Sequence, residues 1–321
     1  MKTTVYAFGN QKGGVGKTTT TVNLAACLAE RGKKVLLIDL DPQANATSGV
    51  GIEKETGQSI YGPLLGEGRL EDFIKPTAFK RLDILPSEVD LAGAEIDVAR
   101  ADRYLHRFQE ALEPLVSAGR YDFIMVDCPP SLGILTMNAL AAADALVIPL
   151  QCEYYALEGL SGMTGLIQKL RESGANPRLE IEGIVMTMYD MRTNLAQQVV
   201  QEVVTHFGDK VYESLIPRSV RLSEAPSFGK PVTAYDKHST GAAAYRQLAR
   251  EFLGRIKQRE AERQAPVPTI DQAPAEGPSQ TPAPPTAEEA APAAETDATA
   301  VVPDLEKKPV ADAGATPSPA Q

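Results

Sequence analysis

Asn10-Gln11-Lys12-Gly13-Gly14-Val15-Gly16-Lys17-Thr18 is the stretch that decides how this chain folds. Glycines at 13, 14 and 16 let backbone N–H groups curl around a polyphosphate, because no Cβ intrudes. Lys17 can then neutralise the β and γ oxygens, and the Thr18 hydroxyl can ligate Mg²⁺. The flanks supply the context such a loop needs. Residues 3–9 read as an apolar strand, and residues 19–31 place Val22, Leu24, Ala25 and Leu28 on helical spacing. The loop therefore joins a strand to a helix whose N-terminus faces the phosphates.

Two more apolar runs end in acids. Residues 35–40 lead into Asp39 and Asp41, and residues 121–126 lead into Asp127. Continuous apolar runs suit strands of a parallel sheet covered on both faces, and the carboxyl ends of such strands are where α/β folds bind ligands. Taken singly, an acid after a strand can equally be a turn or cap residue. Three of them behind a glycine-rich loop point to a nucleotide site.

Further along, residues 81–86, 144–150, 182–188 and 210–216 read as buried strands. They alternate with helical patterns at 131–142, 157–172, 195–207 and 241–257. The fold class expected is α/β: one doubly wound, mostly parallel sheet flanked by helices, over residues 1–260. Residues 57–74 are rich in glycine and show no clear period, so no element is assigned to them. Residues 261–321 contain no aromatic residue, 12 of the 24 prolines, and ten acids against three bases. That segment supplies −7 of the formal charge of −10 and is expected to be disordered, since it cannot bury enough apolar surface to offset its ordering entropy. Cys27, Cys128 and Cys152 fall inside apolar patterns without paired spacing, as in a reduced, cytoplasmic protein. No targeting segment is expected ahead of the first strand, and no apolar run approaches the ~18 residues of a membrane span.

The loop departs from G-x-x-x-x-G-K-[ST] because Gln11 stands where the first glycine belongs, while Lys12 adds a second lysine. In this it resembles the deviant Walker A family, which includes the ParA-type partition ATPases and the division-site regulator MinD. Residues 41–47 (Asp-Pro-Gln-Ala-Asn-Ala-Thr), 187–194 (Thr-Met-Tyr-Asp-Met-Arg-Thr-Asn) and 216–231 are similar to the chromosomal ParA, or Soj, group; the likeness extends over roughly residues 3–257. The resemblance implies ATP and Mg²⁺ as ligands, with Lys12, Gly13, Gly14, Val15, Gly16, Lys17, Thr18 and Thr19 around the phosphates and Pro217 bordering the adenine. It implies Thr18, Asp39 and Asp127 at the metal and Asp41 orienting the attacking water. Lys12 is then a catalytic cation that reaches across an ATP-dependent homodimer to the partner's phosphates, as an arginine finger does.

The same resemblance implies nonspecific binding of double-stranded DNA through Arg192 and Arg221, with Arg218 and Lys230 beside them. Residues 210–260 carry ten bases against five acids, in keeping with such a face. A ParB-type partner is expected to stimulate hydrolysis, and the protein is expected to associate with the nucleoid and not with a membrane. The alternatives are a MinD-like membrane-cycling regulator and a positioning ATPase for another cargo. The first needs an amphipathic C-terminal helix, which the Arg-Ile-Lys-Gln-Arg-Glu run at 255–260 makes a poor anchor.

Overall fold

The apolar runs form the middle of one sheet. In the computed structural model, which describes residues 3–264, the strands are β1 (Thr4–Phe8), β2 (Val35–Asp39), β3 (Lys75–Pro76), β4 (Leu82–Leu85), β5 (Phe123–Asp127), β6 (Ala145–Gln151) and β7 (Glu180–Thr187). They lie side by side in the order β3-β4-β2-β5-β1-β6-β7. Every pairing is parallel except β3 with β4. β2 to β5 all lie to one side of β1, and β6 and β7 to the other, so β1 lies at the reversal where doubly wound sheets open a crevice.

The helices are α1 (Lys17–Glu30), α2 (Asn45–Gly49), α3 (Tyr61–Leu65), α4 (Leu91–Ala99), α5 (Arg107–Ser117), α6 (Ile134–Ala142), α7 (Ala156–Glu172), α8 (Asn194–Phe207), α9 (Val220–Glu224), α10 (Val232–Tyr235) and α11 (Thr240–Gln264). Strand alternation sends successive side chains to opposite faces, and both faces are covered. Val5, Ala7, Leu36, Ile38, Ile124 and Val126 join a core with residues of α4 to α8. Tyr6, Phe8, Val35, Leu37, Phe123 and Met125 join a second core with α1 and α11. There Phe252 meets the edges of Tyr6 and Phe123, with ring centroids 5.0 and 5.8 Å away.

One expected strand needs correction. Residues 210–216 make no ladder: they touch the sheet through a single bridge of Val211 to Ile184, and a second bridge follows at Pro217 with Tyr189. Tyr212 and Ile216 donate to the carbonyls of Ile184 and Met186 on β7, each at 2.9 Å. Between them the Glu251 carboxylate of α11 takes the N–H groups of Glu213 (2.9 Å) and Ser214 (3.0 Å), and this interrupts the pairing. The pattern at 131–142 becomes helical only from Ile134. The unassigned 57–74 stretch holds α3 and a single 3₁₀ turn, Leu70–Phe73. α11 continues to Gln264, past the boundary expected at residue 260, and the tail from 265 onward, expected to be disordered, lies outside the described residues.

Candidate functional site

The loop between β1 and α1 takes the shape its glycines predict. Gly14 (φ 73°) and Gly16 (φ 85°) both sit in the left-handed region, which a side chain at either position would strain. Gly16 enters α1 without a side-chain cap, and the first turn of α1 carries no acid. The free N–H groups and positive dipole end of that helix are left to face an anion. Two buried side chains brace the loop. Asn10 donates from Nδ2 to the Pro149 carbonyl (2.8 Å) and accepts the Lys12 N–H (3.0 Å), while the Thr187 hydroxyl at the end of β7 donates to the Val15 carbonyl (2.8 Å). Residue patterns alone pointed to neither brace.

Lys17 is 6% exposed and its ammonium donates to the Lys12 carbonyl at 3.2 Å. Burial pulls its pKa down, and the charges of Asp127 and Asp41 oppose that shift. The acids lie across from it because β2 and β5 are neighbours in register: Asp39 pairs with Asp127, and Asp127 also pairs with Phe8 of β1. Asp127 is fully buried. Its Oδ1 accepts from the Thr21 hydroxyl at 3.0 Å, whereas its Oδ2 has no hydrogen-bond partner. Burial first, and then the charge of Asp39, push its pKa up; the hydrogen bond from Thr21 acts against this. Such an orphaned, desolvated oxygen beside a second acid and the Thr18 hydroxyl is the donor set a hard divalent cation takes, so the residues fit Mg²⁺.

Asp39 is also fully buried, and its oxygens accept from the Thr47 N–H and hydroxyl (2.8 Å each) and from the Asp41 N–H (3.2 Å). Asp41 is 7% exposed, with Oδ1 accepting the Gln43 N–H at 2.9 Å. It lines a cleft of about 300 Å³ together with Gln43, Glu95, Pro129, Pro130 and Ser131.

Lys12 points away from this cluster. Its ammonium pairs with Glu153 Oε2 at 3.2 Å, both side chains being about half exposed. A pair so wetted contributes only about 0–1 kcal/mol, so it yields easily to a stronger anion. Glu153 was missed by sequence reasoning, and it also faces Arg218 at 3.8 Å. Pro217 is half-buried beside Tyr189, next to Met188, whose φ of 51° is unusual for a residue with a side chain.

The four candidate DNA-contacting cations are exposed, but three of them have intramolecular partners. Arg192 grips Asp190 through Nε (2.9 Å) and Nη2 (2.7 Å), holding that carboxyl down at about 2. Arg221 lies 2.9 Å from Glu224 and 3.4 Å from Asp236. Arg218 has the distant Glu153 contact, and Lys230 follows Gly229 (φ 62°) at the end of a 3₁₀ turn. No helix among the described residues is long and apolar enough to cross a membrane.

A doubly wound sheet, a glycine loop feeding a helix N-terminus, a buried lysine and acids on neighbouring strand ends together define a P-loop nucleoside triphosphatase. A family model described as an AAA domain matches residues 3–181. The chain is 50% identical over 258 residues to the chromosome partitioning protein ParA of Caulobacter vibrioides, which covers 80% of this chain and 96% of that one. It is 54% identical over 248 residues to the sporulation initiation inhibitor protein Soj of Bacillus subtilis, covering 77% of this chain and 97% of that one. Among solved structures it is similar to cobyrinic acid a,c-diamide synthase from Mycobacterium smegmatis with bound ADP and magnesium, at 35% identity and a TM-score of 0.70, covering 80% and 96% of the two chains. The chain belongs to the ParA/Soj family of chromosome-partitioning ATPases.

Proposed function

We propose that this chain binds ATP with Mg²⁺, dimerises around it, and holds nucleoid DNA without sequence preference until a ParB-type partner triggers hydrolysis. The observation that carries the nucleotide reading is the Gly14–Gly16 loop, which places buried Lys17 among acids of which Asp127 keeps one unpartnered oxygen. Gly13, Gly14, Val15 and Gly16 offer N–H groups to the phosphates, with Thr18 and Thr19 opening α1 beneath them. Thr18 and Asp127 hold the metal, Asp39 backs Asp127 from the adjacent strand, and Pro217 borders the base. The metal, when bound, offsets charge on the transferring phosphoryl group. Asp41 orients the attacking water. Lys12 leaves Glu153 and crosses to the partner subunit's phosphates, so full charge stabilisation exists only in the dimer.

DNA affinity arises from Arg192, Arg218, Arg221 and Lys230, doubled in the dimer. Because such binding is driven by counterion release, it should require ATP and fall steeply with salt. Arg192→Ala and Arg221→Ala should weaken binding to every duplex alike, lowering the magnitude of the salt slope by roughly one unit for each phosphate that is no longer neutralised, while dimerisation survives. Asp190→Asn should have the opposite effect, since it frees Arg192. Gel shifts over a salt series, run beside flotation with anionic liposomes, make the test. A dimer that floats with the liposomes and ignores DNA at low salt would replace this reading with the MinD-like one.

A further inference from the structure

The backbone of Asp41 is held from both sides. Its N–H donates to Asp39 Oδ1 at 3.2 Å, and its carbonyl accepts the Ser87 hydroxyl at 2.7 Å and the Ala44 N–H at 2.8 Å. The Ser87 N–H donates to Thr47 Oγ1 at 3.0 Å, and Thr47 returns to Asp39 Oδ2 through its own hydroxyl at 2.8 Å. Asp39, Thr47, Ser87 and Asp41 thus close a ring drawn from the end of β2, from α2, and from the loop between β4 and α4. Asp39, Thr47 and Ser87 are entirely buried.

Packing alone does not explain two hydroxyls there. Valine has the shape of threonine and alanine nearly that of serine, and neither would bring a polar group that must be desolvated and then satisfied. What the hydroxyls accomplish is local. They complete the bonding of one turn, whose Ala44 sits at φ 52°, a conformation a side chain tolerates only when its surroundings impose it. The Asp41 carboxylate is not part of the ring: its Oδ1 accepts the Gln43 N–H at 2.9 Å, and Asp41 lines the cleft between residues 41–43 and 129–131.

We infer that Thr47 and Ser87 are positioning residues for Asp41, fixing its main chain so that its carboxylate stands ready in that cleft before any reaction begins. This rests on Asp41 being the acid that orients the attacking water. Preorganisation of this kind acts on turnover; the Ser87 hydroxyl, which touches only the Asp41 carbonyl, lies outside the phosphate loop and the acids beside it and should leave nucleotide affinity alone.

Steady-state ATPase assays on the full chain, paired with titration of a fluorescent ATP analogue, test the inference. Ser87→Ala should lower kcat by about ten- to a hundredfold with analogue affinity unchanged; Thr47→Val, which also takes a hydrogen bond from Asp39, should lower kcat likewise, and Thr47→Ser, which keeps the hydroxyl, should recover most of the rate. In an Asp41→Ala background, Ser87→Ala should cost nothing more, because the group it aims is gone. Three results overturn the inference: wild-type turnover in both variants, a loss of analogue affinity in Ser87→Ala matching its loss of rate, or an undiminished effect of Ser87→Ala once Asp41 is removed. Wild-type turnover by Asp41→Ala alone would instead overturn the assignment of Asp41, and with it the reason for positioning it.

Discussion

Two lysines of one loop occupy opposite environments. Lys17 is desolvated and surrounded by carboxylates, whereas Lys12 is half-exposed on a single surface acid. Lys17→Ala should therefore abolish ATP binding, and Lys12→Ala should spare it while losing the ATP-dependent dimer, as read by light scattering with and without nucleotide. A Lys12→Ala protein that still dimerises fully would remove the trans role. The acids allow a pH test of the metal site. Asp127 must be ionised to hold a cation, and its pKa is raised by burial first and by the Asp39 charge second. Mg²⁺-dependent nucleotide binding should accordingly be present above that raised pKa and lost as pH falls through it. Asp39→Asn removes only the second cause, so it should move the loss to lower pH without eliminating it. A midpoint that does not move would show that the two carboxylates are not electrostatically linked. The identities of these residues were legible in the sequence. The Glu153 partner of Lys12 was not, because an isolated glutamate beyond a strand looks like any solvated acid.

Elements differ in how far their own residues dictate them. The central strands were legible because a strand buried on both faces is apolar throughout, and α1, α7 and α8 because their core-facing residues recur at helical spacing. Residues 210–216 read as a strand, yet they form only an isolated bridge, because the N–H groups of Glu213 and Ser214 in their middle are claimed by a carboxylate from α11. The last turns of α11 are tied to β7 by Arg259, which binds buried Glu182, and to the 210–216 segment by Arg255, stacked 4.0 Å over the ring of Tyr212. Glu182 is 3% exposed; its Oε1, which meets Arg259, also accepts from the Tyr212 hydroxyl at 3.2 Å, and its Oε2 has no hydrogen-bond partner. Removing the guanidinium leaves a buried charge uncompensated, a loss of about 3–5 kcal/mol for fully buried pairs. Arg259→Met should cost less, about 2–3 kcal/mol, since Arg259 is partly solvated. Urea denaturation would measure it. Glu182→Leu combined with Arg259→Met should recover most of the loss by making the contact apolar. A double variant no better than the single would show that the pair carries more than its own charge.

At the scale of the whole molecule, the described residues supply both cores and every group placed at the nucleotide site. Truncation after Gln264 should thus leave the melting temperature and the basal ATPase rate nearly unchanged, as scanning calorimetry and phosphate release would report. A large drop in either would show that the acidic tail contributes to the body. By itself the sequence determined the phosphate loop, the order of the acids, the parallel α/β sheet and the family, because each of these depends on neighbours along the chain or on a repeating apolar pattern. Only the tertiary structure decided which cations are already paired, which acid oxygen is left without a partner, and which hydroxyls steady Asp41. The physical reason is distance along the chain. Ser87 reaches Thr47 and Asp41 across separations of 40 and 46 residues, and Thr187 reaches the loop carbonyl of Val15 across 172. A hydrogen bond of that kind has no period and no composition; it exists only once the sheet has brought its two ends together.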